Sequence, residues 1–513
     1  MIPPAGARTW LRSPVGAAIA VGLVVTAWSS VAVPARATVG ARTTADEPQY
    51  LLTALSLASD RDLHIDDELA DRAYLPFHEV PLPVQTQVLD SGREVSPHDP
   101  LLPAVLAVPM GVGGWAAAKA ALAVLGGVLA GLLVWTAHRR FAVPVGVAAL
   151  TVLAFGLAAP LAAYATQVYP ELPAALAVTV AVAAVTGRRR PVDLAVFAAA
   201  VVALPWLGVK YAPVAGALVA VAAGYLLGER RRRAVAGLLA GLAVAGLAYL
   251  VAHRVLYGGW TVYAAGDHFT GGELSVMGND PDRIGRSRRL AGLLLDRGFG
   301  LAAWMPGYLL AVPALAVLVR QRRPGWPVLV LPLAAGWATA TWVALTMHGW
   351  WWPGRQVVVV VPCFVLAVAW WAGRVRAVRP WVAVAGVVGA LNWAWLVVEV
   401  LDRRRTLIVD FESTANPVYR AWHGVLPDYR SPGAGDWVLQ ALWLAGLVAV
   451  AALATLAVQA FRPMRRPSPS AYAISSSSAH AARCTGSTPL GASGSVLFAN
   501  RDLIASSILE RLE

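Results

Sequence analysis

The sequence predicts an all-α, polytopic membrane protein: a bundle of about twelve spanning helices, with an outward-facing helix lying along the membrane surface in its first loop. Three observations predict it. Of 513 residues, 58% are hydrophobic and only 14% are charged, against about 25% charged in a soluble domain. The apolar residues gather in runs close to the 20 or so that a spanning helix needs. The 42 basic residues fall mainly in short clusters between those runs, as orientation signals do, so the net charge of +13 is not read as a nucleic-acid footprint.

The first run, 14 to 34, follows Arg8 and Arg12. Ala35-Arg36-Ala37 loosely resembles a cleavage site, but the run is long enough to span, so it is read as an uncleaved first helix. Further runs lie near 115 to 136, 141 to 160, 171 to 187, 191 to 207, 212 to 228, 234 to 253, 300 to 319, 326 to 346, 356 to 373, 380 to 400 and 437 to 460. Arginine clusters at 139 to 140, 188 to 190, 230 to 233, 320 to 323, 374 to 379 and 462 to 466 all follow even-numbered spans, which places both termini in the cytoplasm and the long polar loops outside.

The chain divides accordingly into six parts. Residues 1 to 35 are the cytoplasmic end and first span, 36 to 114 the first outward loop, 115 to 400 the membrane core, 401 to 436 a further outward loop and 437 to 461 the last span. Residues 462 to 513 form a Ser-rich tail, expected to be disordered apart from a short helix near 503 to 512. With only Cys363 and Cys484, a disulfide framework and a cysteine metal site are both excluded. Arg283, Arg286, Arg288 and Arg289, like Arg403 to Arg405, break the inward bias of positive charge, which predicts an anionic partner outside.

Acidic residues are scarce, yet Asp46 and Glu47 stand together just outside the first span. Moving a carboxylate toward hydrocarbon costs roughly 2.5 to 3.5 kcal/mol, so such a pair needs a reason, and catalysis supplies one. Leu51, Leu52, Leu55 and Ala58 then follow at helical spacing, with Asp46 at the N-cap. Capping by Asp46 and dipole complementation by Glu47 is the alternative. Lys119 and Lys210 are the only lysines, which draws attention to both.

Six motifs in order carry a resemblance: DEPQYLLTALSLASDRDLHIDDE from Asp46, SPHDPLLPAVLAVP from Ser96, YATQVYPELPAAL from Tyr164, LPWLGVKYAP from Leu204, LLLDRGFGLAAWMPGYLLAVPAL from Leu293 and HGWWWPGRQ from His348. From about residue 40 to 370 the chain resembles the membrane-embedded GT-C glycosyltransferases, such as protein O-mannosyltransferases and lipid A aminoarabinose transferases. The resemblance implies an inverting glycosyltransferase that moves a hexose or pentose from a polyprenyl-phosphate carrier to an extracytoplasmic acceptor.

It assigns the base to Asp46, with Glu47 as orienter, and the carrier phosphate to Lys210 first and Arg355 second. Snorkelling of Lys210 and belt anchoring of Arg355 beside Trp350 to Trp352 are the alternatives. His98 and Asp99 stand where relatives carry an acid followed by Lys and Pro, but the lysine is missing here; a turn or helix cap explains the pair equally. Glu171, after Tyr169 and Pro170, is a candidate for sugar or acceptor hydroxyls, or else complements its helix dipole. Arg297, with Tyr308 beyond it, is a candidate second phosphate contact or an anchoring charge. Asp46, Glu47 and Asp99 are also a candidate set for a divalent cation, Mg or Mn. The rival classes are a multi-pass transporter, which would keep its ionisable groups near the bilayer midplane, and a non-catalytic carrier-lipid binder.

Overall fold

The computed structural model describes residues 13 to 460 apart from 84, 270, 279, 323 and 324. Arg8, Arg12, Arg323, the cluster at 462 to 466, Cys484 and the Ser-rich tail lie outside the described residues. Among these residues the secondary structure is helical, with isolated β-bridges between loops and no strand.

Among the described residues, seven helices are long and apolar enough to cross a membrane, and five shorter apolar helices fall on the remaining predicted runs. In chain order the helices that matter here are α1 (Pro14–Ser30), α2 (Glu47–Ser59), α3 (Leu101–Phe141), α4 (Val145–Gly156), α5 (Glu171–Val185), α6 (Pro191–Leu207), α7 (Ala212–Gly228), α8 (Arg232–Tyr257), α9 (Ala311–Gln321), α10 (Trp326–Ala338), α11 (Val361–Arg374), α12 (Val378–Leu401) and α13 (Ala434–Ala460). Local chemistry sets several ends. Ser13 Oγ accepts the Gly16 N–H at 3.0 Å to start α1, and Asp193 accepts the Arg190 N–H at 2.9 Å to start α6.

Helices α5 and α11 are buried along almost their whole length and form the centre of the bundle. Against it, α1 crosses α3 at glycines: a Cβ on Gly127 would sit 2.0 Å from Thr26 Oγ1 and 2.5 Å from the Gly22 carbonyl oxygen. Only glycine allows that approach, the device small residues provide where two helices pack in lipid.

The first loop ends earlier than the sequence boundary at 114. Helix α3 already begins at Leu101, and its axis breaks at Gly113 and Gly114, the latter at φ +63°. The apolar run counted from 115 is the part beyond that break.

Helix α2 also differs from expectation. Every residue from Glu47 to Ala54 is buried, whereas a helix lying on a membrane surface would bury one face only. It is a core helix packed on α3, and only its end, from Ala58, is exposed.

The loops between these helices meet at one end of the bundle. Leu407 and Ile408 donate to the Arg36 and Ala37 carbonyls, Thr44 Oγ1 to the Trp350 carbonyl, and Gln87 N to the Ala265 carbonyl. The arginine clusters at 139 to 140, 188 to 190 and 230 to 231 cap the opposite ends of the same helices. Arg189 there pairs with Glu229, and Arg140 caps the Ala183 carbonyl.

Candidate active site

The site is built on the short segment before α2. Ala45 takes a left-handed conformation, φ +45°, and is the residue that turns the chain into Asp46. A non-glycine residue holds that conformation only when its neighbours are fixed. Here Lys119 Nζ donates to the Arg42 carbonyl at 2.5 Å, Tyr169 Oη to the Thr44 carbonyl at 3.2 Å, and Thr44 Oγ1 to the Trp350 carbonyl at 2.6 Å.

Glu47 completes the clamp. Fully buried, it accepts the Thr44 N–H on Oε2 at 2.9 Å and the Val168 N–H on Oε1 at 2.7 Å. Its two oxygens are thus committed to backbone, and it acts as a staple between the first loop and the 165 to 169 turn. Asp46 sits at the N-cap position but makes no capping bond with its side chain. That carboxylate is turned to other partners.

Those partners form a chain of alternating charge. Asp46 Oδ2 accepts from Arg355 Nη2 at 2.5 Å, Arg355 Nε donates to Glu171 Oε1 at 3.0 Å, and Lys210 Nζ donates to the same Glu171 oxygen at 2.7 Å. The guanidinium carbon lies 4.2 Å from the Tyr169 ring centroid and 4.9 Å from that of Trp351, so the cation is sandwiched by aromatics as well as paired. Helix α5 brings Glu171 in its first turn. The turn Val209–Tyr211 before α7 brings Lys210, and the turn Arg355–Val360 before α11 brings Arg355.

Burial opposes the charge on Asp46, but Arg355 and His98 outweigh it and hold the carboxyl well below the usual carboxylate range. Burial pushes the Glu47 carboxyl up, against the pull of Lys119 and its two N–H donors.

Two cavities open on this chain. One, about 150 Å³, is small and lined by His98, Asp99, Gln85 and Tyr50. The other, about 900 Å³, is mostly apolar, lined by residues such as Val214, Leu274, Met277, Val343 and Trp351. Both are lined by Asp46, Lys210, Arg355, Tyr263 and Phe269. The charged chain therefore stands at their junction.

His98 and Asp99 have distinct tasks. The His98 Nε2 lies 3.6 Å from Asp46 Oδ2, while its Nδ1 meets Ser96 Oγ at 2.8 Å. Asp99 accepts the Val209 N–H at 3.1 Å and the Tyr249 hydroxyl at 3.0 Å, and meets His253 Nε2 at 3.1 Å. Asp99 thereby ties the turn that carries Lys210 to α8.

Asp46, Glu47 and Asp99 do not assemble as a cation site. The carboxylate group whose oxygens converge among the described residues is Asp60, Asp67 and Glu68, the first two exposed and Glu68 buried. With Glu47 committed to two N–H groups and Asp99 to three donors, the residues present do not fit a shared metal ion.

Arg297 lies elsewhere too. It pairs with Asp436 at 2.7 Å and donates to the Leu426 carbonyl, while Tyr308 is buried against Phe155. Asp296 beside it accepts the Gly298, Phe299 and Tyr429 N–H groups, so this motif braces the loops. The arginines expected to face an anionic partner are partly spent on carbonyls: Arg286 on Trp342 and Met277, Arg289 on Ala344 and Leu345. The Trp342, Ala344 and Leu345 carbonyls lie at the end of the turn Thr339–Val343 that continues α10.

Tyr50, Tyr249, His253, Tyr263 and Phe269 were missed in the sequence. His253 left a signal, because an ionisable residue inside an apolar run demands a partner. The aromatic residues left none, since tyrosine and phenylalanine are ordinary at membrane edges.

No protein-family model and no curated protein matches the chain. Among solved structures it is similar to the crystal structure of ArnT from Cupriavidus metallidurans bound to undecaprenyl phosphate, at 16% sequence identity and a TM-score of 0.47, over 86% of this chain and 77% of that one.

Proposed function

We propose that the chain is a multi-pass membrane glycosyltransferase of the GT-C type, which transfers a sugar from a polyprenyl-phosphate carrier to an acceptor at the outer face of the membrane, with inversion. The observation that carries this reading is the junction of the two cavities, where one carboxylate and two cations stand at the polar end of a large apolar groove.

The groove suits a prenyl chain, and the cations suit its phosphate. In the transfer, Asp46 takes the proton of the acceptor hydroxyl as that oxygen bonds to the anomeric carbon. The bond from that carbon to the phosphate oxygen breaks at the same time. Its electron pair stays on the phosphate, where Lys210 and Arg355 offset the growing charge. Glu171 holds both cations in place.

The test is a transfer assay with purified protein in lipid, offering radiolabelled polyprenyl-phosphate mannose and arabinose with a membrane extract of acceptors. Label should reach an acceptor with the wild type and fall by roughly 10²-fold or more with Asp46→Asn, the loss expected for a general base. Solute uptake into sealed vesicles without transfer would favour a transporter instead.

A further inference from the structure

Both cations that the transfer needs are held by carboxylates of the chain itself. The two carboxylates differ. Glu171 is fully buried in the first turn of α5, and its Oε1 accepts from Arg355 and Lys210 together, so it can keep both when an anion arrives. Asp46 lines both cavities with a side chain 24% exposed, and its Oδ1 accepts no hydrogen bond among the described residues.

The contact between Asp46 and Arg355 therefore joins the base of the proposed reaction to one of its phosphate ligands. At 2.5 Å and largely out of water it is a strong, charge-assisted bond. While it stands, the carboxylate oxygen that Arg355 occupies is closed to an acceptor hydroxyl. Tyr50, Tyr169, Lys210 and Tyr263 face Asp46 from other directions, and His98 lies against the same Oδ2, its Nε2 at 3.6 Å. Arg355, at 2.5 Å, is its closest partner among the described residues.

Resting on the transferase reading, we propose that the Asp46–Arg355 pair is an autoinhibitory contact that the carrier phosphate breaks, so that donor binding releases Asp46 toward the acceptor. A phosphate oxygen competes with the carboxylate for the same forked donor, and Arg355 exchanges one oxyanion for another while Nε stays on Glu171. Arg355 Nη1, which has no hydrogen-bond partner among the described residues, is free to make a second bond to the arriving phosphate. Binding is then ordered, donor before acceptor. An acceptor that arrives first meets a carboxylate whose Oδ2 and charge Arg355 already holds.

The consequence is counterintuitive and measurable. Removing the carboxylate that performs the chemistry should improve binding of the carrier. The probe is decaprenyl phosphate without a sugar, titrated into the full chain in lipid nanodiscs, with wild type, Asp46→Asn, Asp46→Ser, Arg355→Gln and the Asp46→Asn/Arg355→Gln double variant.

Both Asp46 variants should bind on the order of tenfold more tightly than wild type, a typical coupling between competing ligands. The gain should disappear in the Arg355→Gln background. Equal or weaker binding by both Asp46 variants would overturn the proposal. So would a gain that survives in that background, because it would show only that a negative charge had left the cavity. Binding by none of the proteins would instead remove the transferase reading on which the proposal rests.

Discussion

Asp46 is available to a ligand because its neighbour does the structural work. Glu47 commits its two oxygens to the Thr44 and Val168 N–H groups, while the Asp46 carboxylate caps nothing and is taken by Arg355. The depressed value of Asp46 sets a pH window. A carboxyl lowered in the folded state adds stability that is present above its unfolded value, about 4, and is lost as pH falls toward the folded value. Thermal unfolding should therefore show an offset between wild type and Asp46→Asn that is flat from about pH 5 to 8 and shrinks only below about pH 4. An offset that varied near neutrality would place the titrating group elsewhere. The scarcity of acids made Asp46 and Glu47 legible in the sequence, but their division of labour was not. A buried acid held by one local and one distant N–H group reads, residue by residue, like a catalytic one. Glu171 and Arg355 were likewise singled out separately, and nothing local announces that they share an ion pair 184 residues apart in the chain.

At the scale of elements, the membrane helices were the most legible, because a long apolar run has few alternatives once its backbone must be satisfied internally. Helix α2 was read as a helix, but its burial was not legible, since its leucine spacing fits a surface stripe and a buried helix alike. The loops at 60 to 97 and 254 to 296 were not legible, because they are joined by long-range backbone pairs such as Gln87 N to Ala265 O that leave no local periodicity. The crossing of α1 and α3 gives an element-level prediction. Gly127→Val drives side-chain atoms into Thr26 and the Gly22 carbonyl, and should destabilise the fold by about 3 kcal/mol, read as a lower unfolding temperature and poorer yield in detergent. A variant as stable as wild type would mean that the two helices do not approach so closely.

For the whole molecule, the site exists only because segments far apart in the chain converge at one end: 42 to 47, 96 to 99, 168 to 171, 208 to 211 and 350 to 355. Lys210 depends on this convergence twice, through Glu171 and through the clamp of Asp99 on its turn. Lys210→Ala should lower kcat by roughly 10²- to 10³-fold, the loss typical of removing one group that stabilises developing charge. A change confined to KM would make Lys210 a binding group alone.

The central claim is that one sugar leaves a lipid phosphate at Asp46. It is tested most directly by a single-turnover experiment in nanodiscs that follows two products together, labelled acceptor and free polyprenyl phosphate. In the wild type they should form in equal amounts and at one rate, and both should fall together in Asp46→Asn. Equal turnover by Asp46→Asn, or free carrier phosphate appearing without labelled acceptor, would contradict it.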